Sequence, residues 1–147
     1  MKVYLDMCCY NRPYDPQNQL SISMETQAKL FIQDLIKNEK IELVSSYMLD
    51  YEASNIPMME RKQTVCHFLD EHVSEYVGEE NRTVVEKKAD EIMATGIKIK
   101  DAAHVASAIL THCDYFISTD KRLLRYATDE IRMVNPIDFV REWEGEK

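Results

Sequence analysis

Residues 100–120 read Lys-Asp-Ala-Ala-His-Val-Ala-Ser-Ala-Ile-Leu-Thr-His-Cys-Asp-Tyr-Phe-Ile-Ser-Thr-Asp, and this stretch decides the fold. Its first part, from Lys100 to His112, carries apolar residues on most sides of a helix, which is typical of a helix that is buried. The apolar run Tyr115–Ser118 then predicts a short strand. A buried helix that leads directly into a strand is typical of an α/β protein.

The same alternation of strands and helices extends along the rest of the chain. Further strands are predicted at 3–5, 41–44, 76–77 and 131–134. Further helices are predicted at 22–36, 47–54, 57–73, 81–94, 121–126 and 137–143. We expect Ser21 or Ser23 to cap the first of these helices and Pro57 to begin the third. The segment from Asn11 to Gln19 is predicted to be loop. The alternation predicts an α/β fold with a parallel sheet.

The bulk composition fits one globular domain that spans residues 1–147. Of the 147 residues, 45% are hydrophobic, which is enough for a real core. No apolar run approaches the ~18–20 residues that a membrane helix needs, and the first six residues contain no signal-peptide core. We therefore expect a soluble, cytoplasmic protein that does not bind membranes and whose cysteines stay reduced.

Carboxylates occur where predicted strands give way to loops or helices, at Asp6, Glu52, Asp101 and Asp120. Because ligands of open parallel sheets bind outside the carboxyl ends of the strands, we expect the four side chains to reach one edge. A buried acid is costly unless something neutralises it, and hard divalent cations take oxygen ligands. The pattern therefore predicts a magnesium or manganese site that hydrolyses phosphodiesters through activated water.

Each acid also has a structural interpretation that the sequence leaves open. Asp6 suits a turn after a strand, and Glu52 suits a solvated helix face. Asp101 suits the first turn of a helix, and Asp120 suits a helix N-cap. His104, one turn after Asp101, is interpreted as a core or surface histidine. The metal site is favoured because all four acids occur together in one α/β domain.

Basic and polar residues near the acids are candidates for binding a phosphate backbone. The net charge of −8 argues against broad binding to nucleic acid. The segment from Gly96 to Arg125, however, holds five bases and three acids, a balance of 5 − 3 = +2. Turn chemistry, a salt bridge or strand-end hydrogen bonding is the alternative for each candidate. The candidate substrate-binding residues are Asn11, Arg12, Ser118, Thr119 and Lys121.

The sequence resembles the PIN-domain ribonucleases, a family that includes the VapC-type toxins of bacterial and archaeal toxin–antitoxin pairs. The resemblance covers roughly residues 2–140 and implies a three-layer α/β/α fold with a central, mostly parallel sheet. The matching segments are Val-Tyr-Leu-Asp at 3–6, Ser-Ser-Tyr-Met-Leu-Asp-Tyr-Glu at 45–52, Lys-Asp-Ala-Ala-His-Val-Ala-Ser-Ala at 100–108 and Phe-Ile-Ser-Thr-Asp-Lys-Arg-Leu-Leu at 116–124.

The resemblance also implies an activity, a cofactor and partners. The activity would be endoribonuclease cleavage of RNA with Mg²⁺ or Mn²⁺, and the partners an antitoxin protein and a second copy of the chain. Thr119 matches the family's polar residue before its last acid. Cys8 stands where family members often carry Ser or Asn, and a thiol is a poorer donor. The residues that match the family's metal-binding acids are Asp6, Glu52, Asp101 and Asp120.

Other functions stay open on the sequence alone. A catalytically degenerate PIN domain would bind RNA or a protein partner without cleavage, and it would keep metal affinity without turnover. A response-regulator-like signalling domain also groups acids at strand ends, but it needs a strand-end lysine, whereas Lys121 follows an acid on a turn. Nucleotide-cofactor binding is disfavoured because the chain has no GxGxxG or P-loop motif.

Overall fold

The computed structural model describes residues 1–145 and contains a five-stranded central sheet. The strands are β1 (Lys2–Leu5), β2 (Glu42–Ser46), β3 (Val73–Val77), β4 (Tyr115–Ile117) and β5 (Arg132–Val134). All neighbouring strands are parallel, in the order β3-β2-β1-β4-β5. The predicted α/β fold with a parallel sheet is confirmed. Because β1 is central, its carboxyl end lies between those of β2 and β4.

Helices connect the strands and cover the sheet. The most extensive helix contacts join Leu20–Lys37 to Pro136–Trp143 and Arg82–Met93 to Ile99–Leu110, which is consistent with a three-layer α/β/α arrangement. Short 3-10 turns lie at Arg12–Tyr14 and Glu79–Asn81. Within residues 1–145 the α-helices are α1 (Met7–Asn11), α2 (Leu20–Lys37), α3 (Tyr47–Ser54), α4 (Met59–His72), α5 (Arg82–Met93), α6 (Ile99–Leu110), α7 (Lys121–Leu124) and α8 (Pro136–Trp143).

Helix α6 is buried on nearly every side, as its sequence predicts. Ala102, Val105 and Ala106 are fully buried, and small side chains allow this helix to lie close to its neighbours. A helix held by packing on all sides fixes the direction of the polar side chains that it carries. Asp101 and His104 therefore project from a closely packed helix.

Two short helical turns follow β1: α1, which the sequence does not predict, and the 3-10 turn at Arg12–Tyr14, which lies in the segment predicted to be loop. Asp6 caps α1 by accepting a hydrogen bond from the backbone N–H of Met7 at 2.9 Å. Pro13 then lies in the first positions of a 3-10 turn, where its missing N–H is not needed. The proline indicates a break in the regular helix, but it is compatible with two short helical turns.

Two predicted helix starts are wrong. The N-cap of α2 is Gln19, so neither Ser21 nor Ser23 caps it. The N-cap of α4 is Met58, which places Pro57 one residue before the helix cap rather than in the first turn. In both cases the capping residue makes no side-chain hydrogen bond, so packing rather than capping chemistry sets the boundary.

The core lies on both faces of the central strands. Val3, Tyr4 and Leu5 of β1 are fully buried, although their side chains alternate between the two faces of the sheet. This burial on both faces is what a parallel sheet covered by helices requires. No helix in the described part of the chain is long and apolar enough to cross a membrane.

One lysine is buried in this core without a carboxylate partner among the described residues. Lys29 is 7% exposed, and its Nζ donates to Gln33 Oε1 at 2.6 Å. The ammonium lies 5.6 Å from the ring centroid of Tyr10, a cation–π distance. Burial lowers the pKa of Lys29 to about 8, so its charge costs stability at neutral pH.

We expect Lys29→Met to stabilise the fold at pH 7, by up to about 3 kcal/mol. The unfolded chain holds this proton up to its usual pKa of 10.5, so wild-type stability rises between about pH 8 and that value. The advantage of the variant should therefore shrink as the pH rises to 10.5. Urea unfolding at pH 7 and pH 10 measures it, with exposed Lys87→Met as the control. An advantage that does not change with pH would contradict this explanation.

Candidate metal centre

Asp6 lies at the carboxyl end of the central strand. Its backbone N–H donates to the Ile117 carbonyl at 2.9 Å, which continues the pairing of β1 with β4. Its Oδ1 accepts the Met7 N–H, and its Oδ2 accepts the Ser118 hydroxyl at 2.9 Å. The side chain is 7% exposed. Both oxygens of this acid are therefore held in a fixed direction.

Glu52 is brought to the same edge by α3, which starts directly after β2. The Ser46 hydroxyl caps this helix by accepting the Leu49 N–H at 3.3 Å. The Glu52 side chain is 25% exposed, and its Oε1 lies 2.8 Å from His104 Nε2. The carboxylate of Glu52 therefore points inward, toward α6, rather than into solvent.

Asp101 lies in the first turn of α6 and is half-buried. Its pKa is raised, first by burial and then by the negative charges of Asp6 and Asp120, with a smaller contribution from Glu52. His104 acts in the opposite direction and lowers it. The four acids therefore share one electrostatic environment, and the other three each make it harder for Asp101 to ionise.

Asp120 is the most exposed of the four acids and caps α7. Its Oδ1 accepts the backbone N–H of Arg122 at 2.9 Å and that of Leu123 at 3.3 Å. Its own N–H donates to the Ser118 hydroxyl at 3.0 Å. Asp120 is therefore a helix N-cap, the structural role that its position in the sequence suggests. Both capping hydrogen bonds use Oδ1, so capping does not prevent Oδ2 from binding a cation.

Ser118 connects two of the acids from a fully buried position. Its hydroxyl donates to Asp6 Oδ2 and accepts from the Asp120 N–H. Thr119 is also buried, and its N–H donates to Cys8 Sγ at 3.3 Å. Ser118 is a candidate for contact with substrate; in the structure its side chain is buried and its hydroxyl holds Asp6 and the β4–α7 turn in place.

Cys8 occupies the position beside Asp6 where the resemblance leads one to expect serine or asparagine. Its Sγ lies 3.5 Å from Asp6 Oδ2 and 3.3 Å from Ser118 Oγ. The hydrogen bond from Cys9, together with those from Ser118 and Thr119, lowers the pKa of the Cys8 thiol, against the opposing effects of burial and Asp6. A polarisable sulfur therefore lies at the edge of the site.

Basic residues line an open cleft beside these acids. The cleft has a volume of about 550 Å³, and Lys98, Asp101, Asp120 and Lys121 are among its lining residues. Arg12 also lines it. Of the candidate substrate-binding residues, Lys121 and Arg12 therefore face the cleft together with Thr119, whereas Asn11 is not among its lining residues.

Arg12 is held by acids of the neighbouring segments. Its Nη1 donates to Asp15 Oδ2 at 3.0 Å, and its Nε lies 3.3 Å from Glu25 Oε1. The Nε contact is an ion pair by distance only, since Nε has no hydrogen-bond partner among the described residues. These two acids offset much of the charge that Arg12 would present to a phosphate, so the salt-bridge interpretation of this residue is correct in part.

The tightest convergence at the site involves two acids and a histidine. One carboxylate oxygen each from Asp6 and Glu52 and a ring nitrogen of His104 all lie within 4.8 Å of one another. Asp101 and Asp120 lie outside this group but line the adjoining cleft. Within residues 1–145, no lysine or arginine nitrogen lies within 4.0 Å of a carboxylate oxygen of the four acids.

His104 belongs to this group, although its sequence position alone did not place it in the site. It is 1% exposed, and its two ring nitrogens contact Tyr4 and Glu52. Burial alone would lower its pKa, but the hydrogen bond to Glu52 and the charges of Asp6, Glu52 and Asp101 raise it. Its spacing of three residues from Asp101 puts both on one helix face, and that signal was present in the sequence.

The donor set fits a divalent cation. Several acids share one region, and among the described residues none of them forms an ion pair with a lysine or arginine. Such a concentration of charge is unfavourable unless a cation binds there. Carboxylate oxygens suit Mg²⁺ and Mn²⁺. Asp6 and Glu52 could hold such an ion in the interior, with Asp101 and Asp120 at the side of the cleft.

Solved structures have the same fold. VapBC2 from Rickettsia felis, bound to a DNA fragment from their promoter, has a TM-score of 0.58 at 15% identity, over 92% of this chain and 98% of that one. FitAcB from Neisseria gonorrhoeae has a TM-score of 0.56 at 15% identity, over 91% and 97%. FitAB bound to an IR36 DNA fragment has a TM-score of 0.59 at 14% identity, over 92% and 95%.

No protein-family model matches the sequence, and no curated protein matches it. The likeness to the solved structures nevertheless extends over nearly the whole chain. The resemblance that the motifs indicate is therefore confirmed at the level of the fold, and the chain has the three-layer α/β/α, PIN-like fold with an all-parallel sheet.

Proposed function

We propose that this chain is an endoribonuclease that depends on Mg²⁺ or Mn²⁺ and hydrolyses RNA phosphodiesters. The observation that carries the proposal is the convergence of Asp6, Glu52 and His104 within 4.8 Å at the end of the central strand. Asp101 and Asp120 add negative charge beside it. We assign the metal-binding and catalytic roles to Asp6, Glu52, Asp101 and Asp120.

The bound ion would polarise the phosphodiester and lower the pKa of the attacking water. Asp6 suits the role of a fixed ligand because Met7 and Ser118 already orient its oxygens. Asp101 and Asp120 border the cleft, where they can orient the water or bind a second ion. The protein's part is thus to hold the acids in position beside the cleft.

The substrate proposal is supported by the bases that line the cleft. Lys121 and Arg122 are exposed and follow Asp120 in the chain, and Lys98 lines the same cleft as Asp101. Bases around an acidic site attract a polyanion while the acids reserve the centre for a cation. RNA is proposed over DNA because the motifs resemble those of ribonucleases.

An antitoxin protein and a second copy of the chain are the proposed partners. The antitoxin is supported by the resemblance to VapC-type toxins and by the fold shared with VapBC2 and FitAcB. Light scattering on the purified chain would separate a homodimer from a monomer.

A catalytically degenerate domain that binds RNA or a protein partner is the second candidate. Two observations favour it: a thiol stands at Cys8 beside Asp6, and Asp120 Oδ1 is already occupied as a helix cap. This candidate predicts metal binding without cleavage. It therefore differs from the first only in turnover, and an activity measurement separates the two.

We expect Mn²⁺ to raise the thermal unfolding midpoint of the wild-type chain. A ligand that binds only the folded state at a hundred times its Kd stabilises by about 2.7 kcal/mol. Thermal scans with and without manganese, followed by incubation with mixed structured and single-stranded RNA, test both parts of the proposal. An unchanged midpoint at millimolar metal would contradict a preformed site. Stabilisation without cleavage would favour the degenerate domain.

A further inference from the structure

The buried imidazole of His104 faces the carboxylates from the interior of the protein. Its Nε2 lies 2.8 Å from Glu52 Oε1, and a ring nitrogen of His104 belongs to the same 4.8 Å group as an oxygen of Asp6. Its Nδ1 lies 2.6 Å from the Tyr4 hydroxyl. We propose that His104 Nε2 is a direct ligand of the divalent cation, next to Asp6 and Glu52. This inference rests on the proposed metal-dependent function.

The first support for a ligand role comes from the partner of the second ring nitrogen. A histidine that binds metal through one nitrogen almost always donates its other N–H to an oxygen, which fixes the tautomer. The fully buried Tyr4 hydroxyl can accept that N–H, and it is itself 2.7 Å from Ser46 Oγ. With the proton on Nδ1, the lone pair of Nε2 points at the two carboxylates.

The hydrogen-bond chain behind His104 is anchored in the backbone. Ser46 caps α3 by accepting the Leu49 N–H, and α3 is the helix that carries Glu52. Tyr4 belongs to β1, whose end carries Asp6. The chain from Ser46 through Tyr4 to His104 therefore holds together the elements that bear all three donors.

The alternative is that Nε2 keeps a proton and donates it to Glu52. The distance of 2.8 Å suits that hydrogen bond. It suits shared coordination equally well, since two adjacent ligands at about 2.1 Å from one ion lie about 3 Å apart. A hydrogen bond between Glu52 and His104 does not require an oxygen of Asp6 nearby, whereas coordination of a shared ion does. The presence of the Asp6 oxygen in the group therefore favours coordination.

A nitrogen ligand has a consequence for the choice of metal. Mg²⁺ takes oxygen ligands, whereas imidazole suits transition metals. A site with two carboxylates and one imidazole should therefore prefer Mn²⁺ to Mg²⁺. We expect His104→Gln to reduce that preference at least tenfold, a change of about 1.4 kcal/mol, because the affinity for manganese should fall more than that for magnesium.

Pulsed electron paramagnetic resonance of Mn²⁺ bound to the full chain tests the proposal without an activity measurement. A directly bound imidazole couples its nitrogen-14 nucleus to the electron spin of the ion. We expect this coupling in the wild-type protein and its replacement by a nitrogen-15 signal when histidine alone is isotopically labelled. That comparison needs no substitution, so it does not depend on a variant that folds.

Substitutions then assign the coupled nitrogen. His104→Gln, checked for a native circular dichroism spectrum, should lose the coupling, whereas exposed His67→Gln should keep it. Tyr4→Phe removes the partner of Nδ1, and we expect it to weaken manganese binding about 10–100-fold while the coupling remains.

Three other outcomes would distinguish a failure of the ligand role from a failure of the proposed function. Manganese bound in an Asp6-dependent way without histidine coupling would overturn the ligand role and leave the proposed function standing. Coupling that persists in His104→Gln would also overturn it, because another nitrogen would then be the ligand. If the wild-type chain bound no manganese at all, both the inference and the proposed function would fail.

Discussion

Replacing Asp6 by asparagine should abolish metal-dependent RNA cleavage, with a loss of at least about a hundredfold, or about 2.7 kcal/mol in the activation barrier. Asp6 is the acid at the end of the central strand, and Met7 and Ser118 fix its two oxygens. The amide keeps the shape of the side chain but removes the charge that attracts the cation. Initial rates on a fluorescent RNA at saturating manganese measure the effect.

The matched control for this prediction is Asp34→Asn. Asp34 is an exposed acid on α2, outside the residues that line the cleft, so the same chemical change there should leave the rate unaltered. A preparation in which Asp6→Asn cuts RNA as fast as the wild type would show that the activity belongs to a contaminant or to another site.

Replacing Asp101 by asparagine should abolish cleavage while stabilising the metal-free protein. The pKa of Asp101 is raised by burial and by the charges of Asp6 and Asp120. An acid with a raised pKa in the folded state binds its proton more tightly there than in the unfolded chain. Stability is therefore lost as the pH rises from the ordinary value of 3.8 through the folded pKa. At pH 7 the charge on Asp101 therefore lowers the free energy of unfolding, and the neutral amide avoids this loss.

Thermal unfolding in EDTA at pH 7 and pH 3 measures this effect. We expect a higher midpoint for Asp101→Asn at pH 7 and a much smaller difference at pH 3, where the wild-type acid is protonated in both states. Exposed Asp34→Asn is again the control. A variant that loses stability at pH 7 would indicate that Asp101 supports the fold, and its loss of cleavage would then carry no information about catalysis.

The location of the acids could be predicted because it follows from topology. Asp6 and Asp120 come after strands that pair in parallel, and parallel strands bring their carboxyl ends to one edge. Glu52 and Asp101 are placed there by helices that begin near the same edge. No long-range detail is needed for that inference, since the order of elements along the chain is sufficient.

The role of His104 could not be predicted in the same way. Its contacts with Tyr4 and Glu52 span 100 and 52 residues of sequence, and only the packed structure shows which polar groups meet inside it. The signal was the presence of a histidine in an otherwise apolar, buried helix, because a buried polar group needs a partner. The sequence indicates that a partner exists but does not identify it.

The candidate substrate contacts illustrate the same limit. Ser118 and Arg12 are both close to the acids, but Ser118 is buried and Arg12 already contacts Asp15 and Glu25. Proximity along the chain does not reveal whether a side chain points toward solvent or toward a protein partner. Lys121, beside the exposed Asp120, is the candidate whose position the structure leaves open to a substrate.

The chemical nature of the cleaved ends separates hydrolysis by metal-activated water from attack by the RNA's own 2′-hydroxyl. Hydrolysis by metal-activated water adds the water oxygen to phosphorus and releases the 3′ oxygen, so the fragments should carry 5′-phosphate and 3′-hydroxyl ends. Mass spectrometry of RNA cut by the wild-type chain with manganese should show these ends, and Asp6→Asn or EDTA should remove them. Fragments with 2′,3′-cyclic phosphate ends, formed equally in EDTA, would contradict the account because they arise from attack by the RNA's own 2′-hydroxyl.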